Sequence, residues 1–491
     1  MDMKKLAFSY LDPLVMDSRV FEQTQELRLA EGQPDVEKVL GVWGQPVLRS
    51  KEWRGDTVGF SGGMLLFVLY RPEDGSQPRM LEGWAAIQGR WDLPQMMPEG
   101  KLLLNLFQSS MDARTVSPRK ILVRCGLGVC LQALAPAEGT QWVPQDLPED
   151  VHILEKVEPV RLYQSAGEKT FQMEEALSDF GEDQVLCYTV RVTVSDQKVV
   201  GNKLAFRGAA ELQALLAGEE GAAGSRNISF PFSQFAELEG TFGSDAEAEV
   251  IPAVTSAELE EEGDGTRRLK LGITAQYAIS DMMELHRVED AYSNLRPVKL
   301  TVEELLLAPI VDSRWETVAG RGRLPDQVPG ALQMTAWPEP PRVERQEGGA
   351  ILRAWGTAQV LWKEDNGLAG ATSRWDGEKR LPTGEGSRVY VTACAIGQPQ
   401  PEPASGDSLS VELRCRVLTL DKSGICQVSG IELGEPGTPD PDRPSLILCR
   451  AEKKDLWTIA KETGSTVEAI QRANGLEGES TPGQMLLIPI A

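Results

Sequence analysis

The sequence predicts a mainly β protein: three antiparallel β-rich repeat domains, sandwich- or barrel-like, then a small C-terminal βααβ unit. Three observations lead there. Short apolar or alternating runs bounded by Gly and Pro turns recur through residues 1–433, where long helical periodicity is scarce. A strand–Gly–strand pattern appears three times. From Ser445 onward the spacing changes to that of two short capped helices between two strands.

In the first expected domain, residues 1–145, Asp56 to Gly63 leads into the apolar run Met64 to Tyr70, and Arg79 to Gln88 forms the next strand. In the second, 146–290, Asn202 to Gly208 leads into Ala209 to Leu216, with Ile228 to Leu238 following. In the third, 291–433, Gly349 to Gly356 leads into Thr357 to Trp362, then Ser373 to Asp376. Each unit closes with a late strand, near Lys120–Arg124, Leu269–Tyr277 and Leu409–Leu418. Such repetition at domain-sized intervals marks a duplicated unit. Val185 to Val194 alternates and is β-branched, as a strand. Phe171 to Phe180 and Val302 to Leu307 read as short helices or turns. The acidic run Glu258 to Gly265 reads as a solvated hairpin tip. Exposed strand edges would offer lateral contacts to partners.

Residues 434–444 are dense in Pro and acid and predict a semi-rigid linker. In the unit at 445–491, Leu446–Arg450 is expected as the first strand and Met485–Ile488 as the last. Asp455 caps a helix over 455–462 and Thr466 caps another over 466–472, because each offers an oxygen to an unpaired backbone N–H. Leu456, Ile459, Ala460, Val467, Ile470 and Leu487 supply its core. Asn474–Gly475 supplies the second helix end and its turn.

Composition narrows function. The formal charge of −23 disfavours phosphate backbones and anionic lipid, so no nucleic-acid partner is expected. No run of about 18 apolar residues occurs, so no transmembrane segment is expected. The pair Lys4–Lys5 imitates a signal-peptide start, but Asp12, Pro13, Asp17 and Arg19 break the apolar stretch after it, predicting a cytoplasmic chain. Seven cysteines at 125, 130, 187, 394, 415, 426 and 449 lack CxxC spacing and read as thiols in a reducing compartment. Cys125 and Cys130 fall on opposite faces of one strand. His152 and His286 are the two histidines, neither near a cysteine at metal-ligand spacing. Nothing matches GxSxG or a P-loop. No enzyme activity, metal or cofactor is expected.

The terminal unit resembles a LysM domain on Leu446–Leu448, Asp455–Ala460, Ala469–Ile470, Asn474–Gly475 and Pro482–Pro489. The repeated units resemble the SPOCS domain of endospore-forming bacteria, on Pro34–Leu40, Ser117–Ile121, Ile228–Leu238 and Asp290–Ser293. SPOCS units followed by one LysM are the architecture of the SipL-like spore coat morphogenesis proteins. The resemblance implies a non-enzymatic adaptor in the mother-cell cytoplasm, at the forespore surface, docking a coat-basement ATPase of the SpoIVA type. It also implies a groove lined here by Lys453, Lys454, Asp455, Leu456, Asn474, Gly475 and Leu476. In glycan-binding LysM domains that groove holds N-acetylglucosamine polymers, so peptidoglycan or chitin oligomers are the alternative ligand. Lys453–Lys454–Asp455 replaces the family's usual Gly-Asp-Thr, removing a tight turn and a hydroxyl, which favours a protein partner. Trp457 reads as a packing residue.

Overall fold

The computed structural model describes residues 3–177, 180, 183–217, 223–261, 267–324, 330–364, 367–384, 386–401, 408–422, 424–437, 444–451, 454–481 and 483–490. It is mainly β, 76% strand and 4% helix, and the sheets are antiparallel.

One pairing scheme recurs three times along the chain. The first set comprises β1 (Met3–Arg28), β2 (Val36–Arg54), β3 (Thr57–Pro72), β4 (Arg79–Asp92), β5 (Lys101–Ser117) and β6 (Lys120–Pro144). The second comprises β7 (Val151–Leu177), β8 (Gln184–Val200), β9 (Lys203–Ala217), β10 (Ala223–Glu237), β11 (Glu247–Glu261) and β12 (Arg267–Ser293). In each, the first and last strands pair almost end to end, from Met3↔Pro144 to Arg28↔Lys120 and from Val151↔Ser293 to Leu177↔Arg267. The middle three strands form a meander, and the fifth folds back on the sixth.

The third set keeps this order with its strands broken. It runs β13 (Val298–Leu305), β14 (Ile310–Arg323), β15 (Ala331–Pro338), β16 (Arg342–Gln346), β17 (Gly349–Glu364), β18 (Gly367–Leu381), β19 (Ser387–Ile396), β20 (Gln400–Pro401), β21 (Ser408–Asp421) and β22 (Ile425–Leu433). The long outer pair is divided into β13 with β22 and β14 with β21. Pro309 falls at one break and Pro338, Pro340 and Pro341 at another, positions where a missing N–H cannot extend a ladder.

The sequence's strand–Gly–strand pattern is one continuous strand in each set. Gly62 in β3, Gly208 in β9 and Gly356 in β17 pair with Leu48 of β2, Val194 of β8 and Pro338 of β15. A Cβ at each would strike the carbonyl oxygen of Val47, Thr193 or Trp337, closer than real Cβ atoms come. Only glycine permits that approach.

Several expectations are corrected here. Phe171 to Leu177 lies in β7, paired with Arg267 to Ile273, and Val302 to Leu305 lies in β13, so these stretches are strand; Phe180 lies in a short 3₁₀ turn, and 178–179 are outside the described residues. A boundary at 290/291 falls inside β12, whose last residues pair with Val151 to Leu154. The acidic hairpin closes with Glu261↔Arg267, its tip at 262–266 outside the described residues. Of the linker, Gly434 and Gly437 donate backbone N–H groups to Pro297 and Leu295, while 438–443 lie outside the described residues.

The sets share their cores. Leu40, Trp43, Phe67 and Leu69 of the first pack with the second set's Phe206, Leu212 and Ile273 and the third's Leu361 and Leu368. Leu103 and Leu134, Tyr163 and Ile251, and Ile310 and Leu418 form a cluster drawn from all three. Cys125 and Cys130 sit in different cores, and all seven cysteines are free.

Amide side chains carry hydrogen bonding from set to set where backbone ladders stop. Gln45 Oε1 accepts from Val190 N at 2.6 Å, Gln359 Oε1 from Val42 N at 2.9 Å, and Asn105 Oδ1 from Cys394 N at 2.8 Å. Buried Gln276 both accepts from Leu104 N and donates to Leu104 O. Each side-chain amide imitates one peptide group of an absent neighbouring strand.

Besides the short edge strands β16 and β20, eight strands end the four larger sheets: β2 and β4, β5 and β11, β8 and β10, β15 and β19. Seven of them, all but β4, contribute to one cavity where the sets meet. Strand β4 lies under β1, with Phe21 edge-on to Trp91 at 5.1 Å and Trp91 Nε1 donating to Asp17. Three or four residues of each of the other seven thus face a shared interior.

Candidate functional site

Beyond residue 445 the chain runs β23 (Leu446–Arg450), α1 (Leu456–Thr463), α2 (Val467–Asn474) and β24 (Met485–Pro489), the two strands pairing antiparallel. Asp455 Oδ1 accepts from Thr458 N at 2.8 Å and caps α1; the Thr458 hydroxyl first, and then this N–H, lower the Asp455 carboxyl from its usual value. Thr466 caps α2 by accepting from Ala469 N at 3.0 Å. Both helices end on glycines in the left-handed region, Gly464 at φ 65° and Gly475 at φ 64°. Leu456, Ile459, Ala460, Ile470, Leu486 and Ile488 form the small core, while Leu487, expected inside, is 40% exposed.

The predicted groove residues are structurally occupied. Lys453 lies outside the described residues. Lys454 is paired with Glu462 at 2.6 Å. Leu456 is fully buried, and its N–H donates to Glu479 Oε2 at 3.0 Å, tying the first loop to the second. Asn474 donates to Ile470 O and Leu487 O and accepts from Leu487 N, riveting the end of α2 to β24. Gly475 closes the helix, and Leu476 donates its N–H to Gln471 O and packs on the core. The two loops meet through Glu479, which the sequence pattern did not single out.

The unit is fastened to the strand body through the end of β12. Trp457 Nε1 donates to Asp290 Oδ2 at 2.9 Å and Lys461 Nζ pairs with Asp290 at 2.7 Å. Tyr292 stands edge-on to Trp457 at 4.9 Å and donates its hydroxyl to Ser465 O at 3.0 Å. Burial, then Glu468 and Asp290, pushes the Tyr292 hydroxyl up to about 12, so it remains a donor at neutral pH. The Asp290–Ser293 segment stood out in the sequence, but not as an anchor. Trp457 packs, as expected.

One outward face of the unit, on the β23–β24 ladder, is largely apolar, with exposed Arg450 at its end. Residues on one face of β23–β24 alternate with the buried ones: Leu446 is 51% exposed, Leu448 62%, Met485 51% and Leu487 40%. Leu448 and Leu487 are directly opposed.

The cavity between the strand sets, about 430 Å³, is a second location, and nothing in the local sequence pattern pointed to it. Among the described residues no group of three or more His, Cys, Asp or Glu could hold a metal, and no helix is long and apolar enough to cross a membrane. No family model, curated protein or solved structure matches this chain.

Proposed function

We propose that this chain is a non-enzymatic adaptor that docks another protein through its C-terminal unit. The single observation that carries the reading is the outward face of β23–β24, where four large apolar side chains stand exposed together. A sugar needs hydroxyl partners and an open aromatic platform; here Asn474 and Asp455 are engaged in capping and riveting, and Trp457 is held against Tyr292.

The resemblance makes the strand sets three SPOCS-like domains and the terminal unit a LysM domain. On that reading the protein is a SipL-like coat morphogenesis factor of the mother-cell cytoplasm. Its partner is then a SpoIVA-type coat-basement ATPase at the forespore surface.

Binding of the purified full chain to such an ATPase and to peptidoglycan tests the reading. Leu448→Asp and Leu487→Asp should each weaken ATPase binding at least tenfold, with the circular dichroism spectrum unchanged. Saturable binding to peptidoglycan that survives both substitutions, with no ATPase binding, would sink the docking reading in favour of the glycan one.

A further inference from the structure

We propose that the outer edge of β23 takes up an extended segment of the docked protein as a third strand, apolar at alternate residues and acidic opposite Arg450. This rests on the docking reading above and names what the partner must offer.

The two edges of the small sheet differ. Its bonded pairs fall at odd-numbered positions on the β23 side. Ile490 N donates to Ser445 O at 3.0 Å and Ala451 N to Gln484 O at 2.8 Å. Bonding in an antiparallel ladder alternates, so Leu446, Leu448 and Arg450 turn their peptide groups away from β24. The same alternation turns Leu487 and Pro489 of β24 outward on the opposite side. There Asn474 bonds both the N–H and the C=O of Leu487, at 2.8 and 2.6 Å, and Ser465 Oγ donates to Pro489 O. That edge is closed. At the β23 edge, among the described residues, nothing hydrogen-bonds to the peptide groups of Leu446 or Leu448.

Packing is unfinished on the same side. Leu486 and Ile488 of β24 point into the unit's core and are fully buried, whereas their opposites, Cys449 and Ile447, are only half-buried. On the other face Leu446 and Leu448 stand exposed. A strand laid along β23 satisfies the free peptide groups, covers Ile447 and Cys449, and widens the apolar face. It also turns a two-stranded sheet, marginal by itself, into a three-stranded one.

Arg450 selects the occupant. It is exposed at the end of the apolar row, and among the described residues no carboxylate pairs with it. A strand with a carboxylate at the facing position supplies the counter-charge. A second copy of this chain does not. Two β23 strands meeting antiparallel about Leu448 set Arg450 against Leu446, and a parallel pair sets Arg450 beside its like. Each copy also carries a formal charge of −23, which opposes self-association.

The test is the affinity of the purified full chain for the SpoIVA-type ATPase. L446P and L448P each remove one outward N–H and leave the bonded pairs of the ladder in place; L446A and L448A remove the same side chains and keep the N–H. Each proline variant should bind about tenfold more weakly than its alanine counterpart, as for a lost backbone hydrogen bond. R450E should bind severalfold more weakly than the unsubstituted chain. The ¹⁵N signal of the Trp457 indole, assigned by its absence in W457F, reports whether the unit stays folded on Asp290. Should L448P fail that check, L446P carries the comparison, since a strand's first residue tolerates proline. Proline and alanine variants that bind alike overturn the proposal and leave the docking face standing. An R450E variant that binds normally overturns it too. An unsubstituted chain that does not bind the ATPase overturns the docking reading, and the added strand with it. A chain that dimerises alone, and loses the dimer in L446P or L448P, assigns the edge to a second copy and also overturns the proposal.

Discussion

Gly62, Gly208 and Gly356 make the repeat visible in the sequence, and a steric requirement keeps them there. Each sits where the neighbouring strand's carbonyl passes too close for a Cβ. Gly208→Ala should therefore cost about 1–3 kcal/mol, the range for forcing an extra methyl into a packed site. At Gly224 nothing lies within 4 Å of an added Cβ, and the same change should be nearly neutral. Urea unfolding midpoints of the two variants would check this; equal midpoints would remove the steric account. The caps were equally legible, since Asp455 and Thr466 act within one turn of themselves. The partners of Asp290 were not, because 167 residues separate it from Trp457 and no local pattern encodes such a contact.

Among the elements, local reasoning failed where a distant strand decides the conformation. Phe171 to Leu177 is short and mixed, and its partner in β12 lies about a hundred residues away in sequence. The C-terminal helices were readable because their capping chemistry and hydrophobic spacing are contained within eight residues each. Their attachment to β12 depends on one carboxylate that receives both the Trp457 indole and the Lys461 ammonium. Asp290→Ala should weaken that attachment by about 1.5–3 kcal/mol, as for hydrogen bonds to a charged group. Hydrogen exchange at the Trp457 indole should speed at least tenfold, with exchange in the body strands unaltered. An unchanged indole would show that Tyr292 alone holds the unit.

Across the whole molecule, the sets are joined by a buried polar cluster as well as by shared apolar cores. Glu249 of β11, 4% exposed, accepts from Gln132 of β6 and Thr392 of β19 and lies 3.4 Å from Arg416 of β21. One carboxylate thus touches all three sets. Glu249→Ala leaves Arg416 buried without its counter-charge and should destabilise by about 3–5 kcal/mol. Glu249→Leu combined with Arg416→Met should recover most of that loss. Thermal unfolding of the single and double variants distinguishes the two, and a double variant no better than the single would reject the ion pair as the cause. Threefold repetition could be read from the sequence, but the joining of the sets could not, since contacts between repeats leave no periodic trace.

The convergence of seven edge strands on one cavity bears on how the sheets meet other chains. A fold whose described residues are three-quarters strand would ordinarily be prone to amyloid-like growth, each free edge templating the next copy. Here three or four residues of each of seven edge strands line a shared interior, so those stretches are closed to an incoming chain. At those stretches the fold itself blocks templating by another strand.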